Sequence, residues 1–341
     1  ARMSDRLIGG MFGLDTPSCS FLPEPHFFKD SIFLVNARSA IHLVVSRLRP
    51  GVVWMPSFLC DVMLSAVGHT KIRFYRVDER LRVTQEWLDQ IRPEELVVLV
   101  DYFGFPYDPA LASRIKERGG WILEDASQAL LSHHVDGISD FLVFSPRKFL
   151  NVPDGGILKI GNQFDFSDLN LCNPPAEWWL KAFSATLLRR EFDQRGGERL
   201  WFQLFQDVDK NGPIGFFKMS DFSRILLEHT FDYSAIKRKR IENYQILDHS
   251  LHRFSLFPEL SDGVVPLGYP IILKNRDQVR QKLFEKNIYP PVHWPIGGFV
   301  PADYHESHEL ARSILTLICD QRYDASDMER MASIVLREAK G

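Results

Sequence analysis

Three short stretches of the 341-residue chain combine residue types that can carry out chemistry. Glu124-Asp125-Ala126-Ser127-Gln128 follows the apolar run Trp121-Ile122-Leu123, and Lys148 ends Ser145-Pro146-Arg147-Lys148 directly after Phe141-Leu142-Val143-Phe144. The third, Asn36-Ala37-Arg38-Ser39-Ala40, opens a helix whose apolar positions are Ile41, Val44, Val45 and Leu48. Taken singly, each has an ordinary explanation: a turn aspartate, a surface lysine, and Ser39 as the helix N-cap. Together they match the needs of pyridoxal phosphate. That cofactor requires a lysine amine for a Schiff base, a carboxylate beside its pyridine nitrogen, and donors for its phosphate. Lys148 and Asp125 supply the first two, and the free amides and positive dipole end of the helix starting near Ser39 supply the third.

Such residues must be placed by a frame. Val52–Trp54, Lys71–Val77, Leu96–Val100, Trp121–Leu123 and Phe141–Phe144 are short, β-branched or aromatic, and several are almost wholly apolar, as strands covered on both faces must be. Asp108 can cap a helix that Pro109 begins and Gly119-Gly120 ends, which completes a βαβ unit and predicts a parallel sheet in an α/β chain. Ligands of such sheets gather at the carboxyl ends of the strands, where all three stretches fall. Between about residues 165 and 210, Trp178, Trp179, Phe183, Leu187 and Leu188 recur at helical spacing, then Leu200, Trp201, Leu204 and Phe205 after Gly196-Gly197. This reads as a helical pair whose aromatic stripe serves as core, as a subunit interface or as a pocket wall. Lys237-Arg238-Lys239-Arg240 opens a further helix and is read as a solvated face. Beyond it come a strand in 266–273 and helices over 277–286 and 327–337, with Arg276 and Arg280 solvated. The expected organisation is a large cofactor-binding domain, 1–235, and a small α+β domain, 236–341.

Composition narrows the function classes. Apolar residues make up 45% and charged residues 25%, an ordinary globular balance, and 41 Lys plus Arg against 44 Asp plus Glu leave a formal charge of −3. No broad basic footprint for nucleic acid or anionic membrane follows from that, so partners should be small molecules. Cysteines at 19, 60, 172 and 319 show neither disulfide-frame nor metal-finger spacing, and Arg2, Asp5 and Arg6 interrupt any leader-like apolar run; the expectation is a cytoplasmic protein with reduced thiols and no metal. Asp207-x-Asp209-x-Asn211-Gly212 mimics the start of a calcium loop, but Lys218 stands where the bidentate glutamate is needed. His133-His134 and His293 have no acidic or thiol partner at metal spacing, although His293 lies in a loop that can close over substrate.

The chain resembles the DegT-type sugar aminotransferases, which are fold-type I pyridoxal phosphate enzymes. VNARSAIHL, VVWMPSFLCDVMLSAV, VDYFGFPYD through WILEDASQA, FSPRKFLNVPDGG and KRKRIENYQILDHSL carry the likeness, which continues to ILTLICDQRYDASDMERM. The resemblance implies a large, mostly parallel sheet domain with a small α+β domain. It makes Lys148 the Schiff-base lysine, Asp125 the partner of the pyridine nitrogen and Gln128 the residue on the side of the cofactor's phenolic oxygen. Arg38, Ser39 and Ala40 match the phosphate loop, with Ser145 as a substitute hydroxyl because Val143 occupies the usual serine position. The ring-stacking aromatic corresponds to Cys60, with Phe58 two residues away, and Phe216 replaces an expected asparagine. Asp154, Gly155 and Gly156 fall on a turn where the glycines are structural. A homodimer is implied, with Lys218 reaching the partner's phosphate. The activity implied is amination of a nucleotide-linked keto sugar by an amino acid such as glutamate. The rival readings are a sugar dehydratase, which retention of Lys148 disfavours, and a cofactor-binding scaffold without turnover.

Overall fold

The computed structural model describes residues 6–14, 28–134 and 137–339. Arg2, Asp5 and Cys19, which entered the reading of leader and thiols, lie outside the described residues. Eleven strands are described: β1 Ile8–Gly9, β2 Ser31–Leu34, β3 Val52–Pro56, β4 Lys71–Tyr75, β5 Leu96–Val100, β6 Trp121–Asp125, β7 Phe141–Phe144, β8 Gly156–Ile160, β9 Tyr269–Ile272, β10 Ile288–Tyr289 and β11 Ile314–Leu317. The helices are α1 Ala37–Leu48, α2 Val62–Ala66, α3 Pro109–Glu117, α4 Ala176–Arg195, α5 Leu200–Lys210, α6 Asp221–His229, α7 Tyr233–Leu251, α8 Arg276–Phe284, α9 His305–Ser313 and α10 Ala325–Glu338.

Seven strands form one sheet in the order β2-β8-β7-β6-β5-β3-β4. The five strands from β7 to β4 run parallel, as their continuous apolar runs predict, while β8 and β2 add an antiparallel edge. Every residue of β3 and β5 is buried, so each large side chain there contributes roughly 1.5–3 kcal/mol by leaving water. Asp108 accepts from the Ala110 amide at the start of α3, and Pro109 sits where its missing N–H costs nothing. A mostly parallel sheet with helices packed against it is the α/β class expected.

A second core gathers β9 and β11, an antiparallel pair, with α7, α8 and α10. Ile8 belongs to this core, and β1 pairs in parallel with β10, so the first strand lies with the C-terminal elements rather than with the sheet whose residues follow it. Two of the basic residues read as solvated are buried instead. Arg240 donates to the carbonyls of Pro266 and Leu267 and to Gln321 Oε1, and Arg276 donates to those of Ala311 and Ile314. In each case the guanidinium fork satisfies carbonyls that the neighbouring chain leaves over. Helices α4 and α5 form the aromatic pair: Trp178 and Trp201 are buried, while Leu180, Leu200 and Phe202 remain exposed. Asp207 to Lys210 are the last turn of α5, so the calcium-like motif is helical. Cys60, Cys172 and Cys319 are free thiols. Among the described residues no helix is long and apolar enough to cross a membrane.

Candidate active site

A cavity of about 910 Å³ opens at the carboxyl ends of the parallel strands. Leu59 and Cys60 reach it after β3, Val100 ends β5 at its wall, and Asp125, Ser127 and Gln128 follow from β6. Ser145, Arg147 and Lys148 come from the turn after β7, and the second core supplies Arg280, Tyr289, His293, Trp294 and Thr316. Helix α5 covers the remaining side with Trp201, Phe202, Phe205 and Asp209, so the aromatic stripe is both core and cavity wall.

Strand β6 ends in two carboxylates that point to opposite faces, because side chains alternate along a strand. Asp125 lines the cavity and accepts one hydrogen bond, from the Ser127 amide to Oδ1 (3.0 Å). Gln128 is held through Oε1, which accepts from the Phe103 amide (2.7 Å), while its buried Nε2 has no acceptor. Such an unmet donor costs free energy unless a ligand oxygen meets it. Lys148 sits on the one-turn helix Pro146–Lys148, and among the described residues its amine makes no hydrogen bond or ion pair. An unpaired amine, an open carboxylate oxygen and an orphaned amide donor around one cavity fit pyridoxal phosphate, whose carbonyl carbon, ring nitrogen and phenolic oxygen require those three groups.

His293 donates or accepts at Nδ1 with Thr316 Oγ1 (2.8 Å), and burial, aided by the charge of Lys148, pushes its pKa down to about 3. It is neutral. Burial pushes the Cys60 thiol up despite Lys148, so it too carries no charge. The other expected residues are less directly placed. Phe58 is fully buried, its ring 5.4 Å from that of Trp294, and of this pair Trp294 lines the cavity.

Asn36, not Ser39, caps α1: its side chain accepts from the Ser39 amide (2.8 Å). The Ser39 hydroxyl donates to the Pro213 carbonyl, and Asn36 Nδ2 does so as well, which ties the loop after α5 onto the start of α1. Neither Ser39 nor Ala40 lines the cavity, whereas Ala37 and Arg38 do. Gly156 is required here, since a Cβ on it would sit 2.2 Å from the Asn36 carbonyl carbon. Asp154 accepts from Ser220 and Ser223 and is structural. Lys218 lies away from the cavity, 3.6 Å from Asp221.

Two further sequence expectations need correction. Arg280 lines the cavity instead of facing solvent; its Nε donates to the Pro290 carbonyl, and burial lowers its pKa. His134 does have acidic partners: Nδ1 meets Glu124 Oε1 (2.8 Å) and lies 3.4 Å from Asp101, while Nε2 meets the Ala129 carbonyl. The three groups come within reach of one ion. Yet both ring nitrogens face oxygen acceptors and therefore carry protons, and a doubly protonated imidazole has no lone pair for a metal.

No family model and no curated protein matches the chain. Solved structures do. PseC from Helicobacter pylori, an aminotransferase involved in the biosynthesis of pseudoaminic acid, superposes with a TM-score of 0.67 at 17% identity over 94% of this chain and 88% of its own. A DegT DnrJ EryC1 StrS aminotransferase from Brucella abortus gives 0.62 at 18% over 91% and 86%. Spr1654 from Streptococcus pneumoniae in its PLP form gives 0.65 at 15% over 91% and 88%, and it is also known in a PMP form. The chain has the fold of the DegT/DnrJ/EryC1/StrS aminotransferases.

Proposed function

We propose that the protein is a pyridoxal-phosphate-dependent aminotransferase that moves an amino group from an amino acid, glutamate, to a nucleotide-linked keto sugar. The observation that carries the reading is the unpaired Lys148 amine sharing one cavity with Asp125 and the unmet Gln128 donor. Proteins of the same fold that bind PLP or act as aminotransferases support it. When bound, the cofactor supplies an electron sink that makes the hydrogen on the donor's α-carbon acidic.

The protein's own groups do the rest. Lys148 Nζ would hold the cofactor and, once the donor's amine has taken its place and freed it, would accept the proton from the donor's α-carbon and later deliver one to the acceptor carbon. Asp125 would hold a proton on the ring nitrogen through its open oxygen. Gln128 Nε2 would donate to the phenolic oxygen. His293, being neutral, shares the cavity with the lysine ammonium without opposing it. Arg280 offers its outer nitrogens to a carboxylate, so the donor has an anchor that the sequence did not reveal. Trp201, Phe202 and Phe205 shield that side from water and leave room for an acceptor larger than a 2-oxo acid. The protein works in the cytoplasm as a homodimer. The exposed apolar residues Leu180, Leu200, Phe202 and Phe216 support an interface, with Lys218 turned toward the partner subunit. Sedimentation of the loaded protein as a monomer would remove the dimer.

Borohydride reduction after incubation with pyridoxal phosphate, followed by peptide mapping, should put the pyridoxyl label on Lys148; a label on another lysine overturns the site. Incubating the pyridoxamine phosphate form with keto sugars and 2-oxo acids then tests the acceptor. Faster turnover with pyruvate or oxaloacetate than with every keto sugar would replace the sugar reading with that of an amino-acid enzyme.

A further inference from the structure

Arg147 stands next to Lys148 in the same turn and lines the same cavity, yet neither the residue reading nor the resemblance gave it a role. Among the described residues its guanidinium makes no hydrogen bond and no ion pair. That is costly for a cation partly withdrawn from water, and burial does lower its pKa, with the nearby positive charge of Arg38 adding to the effect. Arg38 is fixed in place. Its Nη2 donates to the Asp209 carbonyl (2.9 Å) and packs so closely on Gly212 that a Cβ there would overlap it.

Two like charges are thus held toward one end of a cavity, at the amino end of a 12-residue helix. Like charges repel unless an anion lies between them. The Asp209 carboxylate lines the cavity and offsets part of the charge, but it forms no ion pair with Arg147. Asp154, the other carboxylate acting on Arg147, is taken up by Ser220 and Ser223. Meanwhile the Ser39 amide and hydroxyl are spent on Asn36 and Pro213. What remains for a phosphate is the two guanidinium groups, the Ala37 and Arg38 amides at the start of α1 and the Ser145 hydroxyl, all of which reach the cavity.

We propose that Arg147, with Arg38 beside it, is the phosphate anchor of this protein: a guanidinium pair that binds the dianion of pyridoxal phosphate where Ser39 is already occupied. The inference rests on the proposed cofactor. The two-pronged donor geometry of arginine suits a phosphate monoester better than a point charge would.

Binding of pyridoxal phosphate and of pyridoxal, which lacks the phosphate, should be followed by equilibrium dialysis and by borohydride labelling of Lys148, in wild type and in Arg147→Gln and Arg147→Lys. Arg147→Gln should weaken pyridoxal phosphate about tenfold to a hundredfold and leave pyridoxal unchanged, with Arg147→Lys between. Inorganic phosphate should raise pyridoxal labelling in wild type and not in Arg147→Gln, which separates a free-phosphate site from one that merely favours the whole cofactor. Circular dichroism melting checks that the variants fold, and Arg147→Lys keeps the test decisive if Arg147→Gln does not. An unchanged preference for the phosphorylated form in a folded Arg147 variant, with the label still on Lys148, overturns the anchor and spares the aminotransferase reading. Failure of wild type to take up either compound sinks both.

Discussion

Glu124 and Asp125 are neighbours on one strand, yet they live in opposite worlds. Glu124 faces inward, where His134 and Ser139 occupy both its oxygens and Asp101 lies against the same imidazole. Asp125 faces the cavity with a single backbone donor and an oxygen to spare. The inward cluster is charge spent on holding β5, β6 and the following turn together. The outward set, Asp125 with Gln128 and Lys148, is polarity left unmatched by the protein, and such groups persist where a ligand completes them. A one-residue step along a strand therefore separates stability from chemistry.

That contrast can be broken from either side. Lys148→Ala should reduce amination by at least ~10³-fold while leaving the urea unfolding midpoint nearly unchanged. Asp125→Asn should cost about 10²–10³-fold in turnover, again with the fold intact; near-native activity would make Asp125 a turn residue only. On the inner face the effects should reverse. His134→Ala leaves the buried Glu124 carboxylate without its cation and should lower stability by about 3–5 kcal/mol, measured by denaturant unfolding, while turnover per folded molecule changes little.

The mildest test is pH. Burial works against the charge on His134, but its bonds to Asp101 and Glu124 outweigh that and raise its pKa to about 10. Stability contributed by this proton is fully present below the ordinary histidine value and is lost as pH rises through about 10. Asp101, raised to about 8 by burial and then by Glu124, acts in the same direction, since it must ionise beside another carboxylate. Unfolding free energy should therefore fall as pH rises, Asp101 acting from the ordinary aspartate range up to about 8 and His134 from about 6.5 to 10, in wild type. A flat profile would mean that the cluster carries no shared proton.

Much of the frame was legible because it is local. Apolar runs marked β3, β5, β6 and β7, Asp108-Pro109 marked α3, and paired glycines marked the break between α4 and α5. Lys148, Asp125 and Gln128 could be read from the sequence because strand ends are readable, and all three line the cavity that lies there. What escaped depends on contacts distant in sequence. Ser39 was the cap on paper, but it sits inside the first turn, and Asn36, with Gly156 of β8 packed against its backbone, takes the role. Nothing in Lys237-Arg238-Lys239-Arg240 shows that Arg240 meets carbonyls at 266 and 267. His134 lay ten residues from its partner Glu124, a spacing that becomes a contact only through the turn that carries it back. Arg147 drew no notice because it stood beside the lysine that did.

The pairing of β1 with the C-terminal core has a consequence in time. Gly9 donates its amide to the Tyr323 hydroxyl across 314 residues of sequence, and its carbonyl accepts from Arg189 Nη1 beneath the helical pair. A Cβ on Gly10 would run into Trp201. This dipeptide rivets the wall made by α5 to elements near the other end of the chain. At ~5–20 residues per second, roughly 15–60 s separate the making of the rivet from the making of its last hole. The sheet can be assembled on the ribosome well before then, so this side of the cavity is finished only after Tyr323 has been made, about 160 residues after the last strand of the sheet.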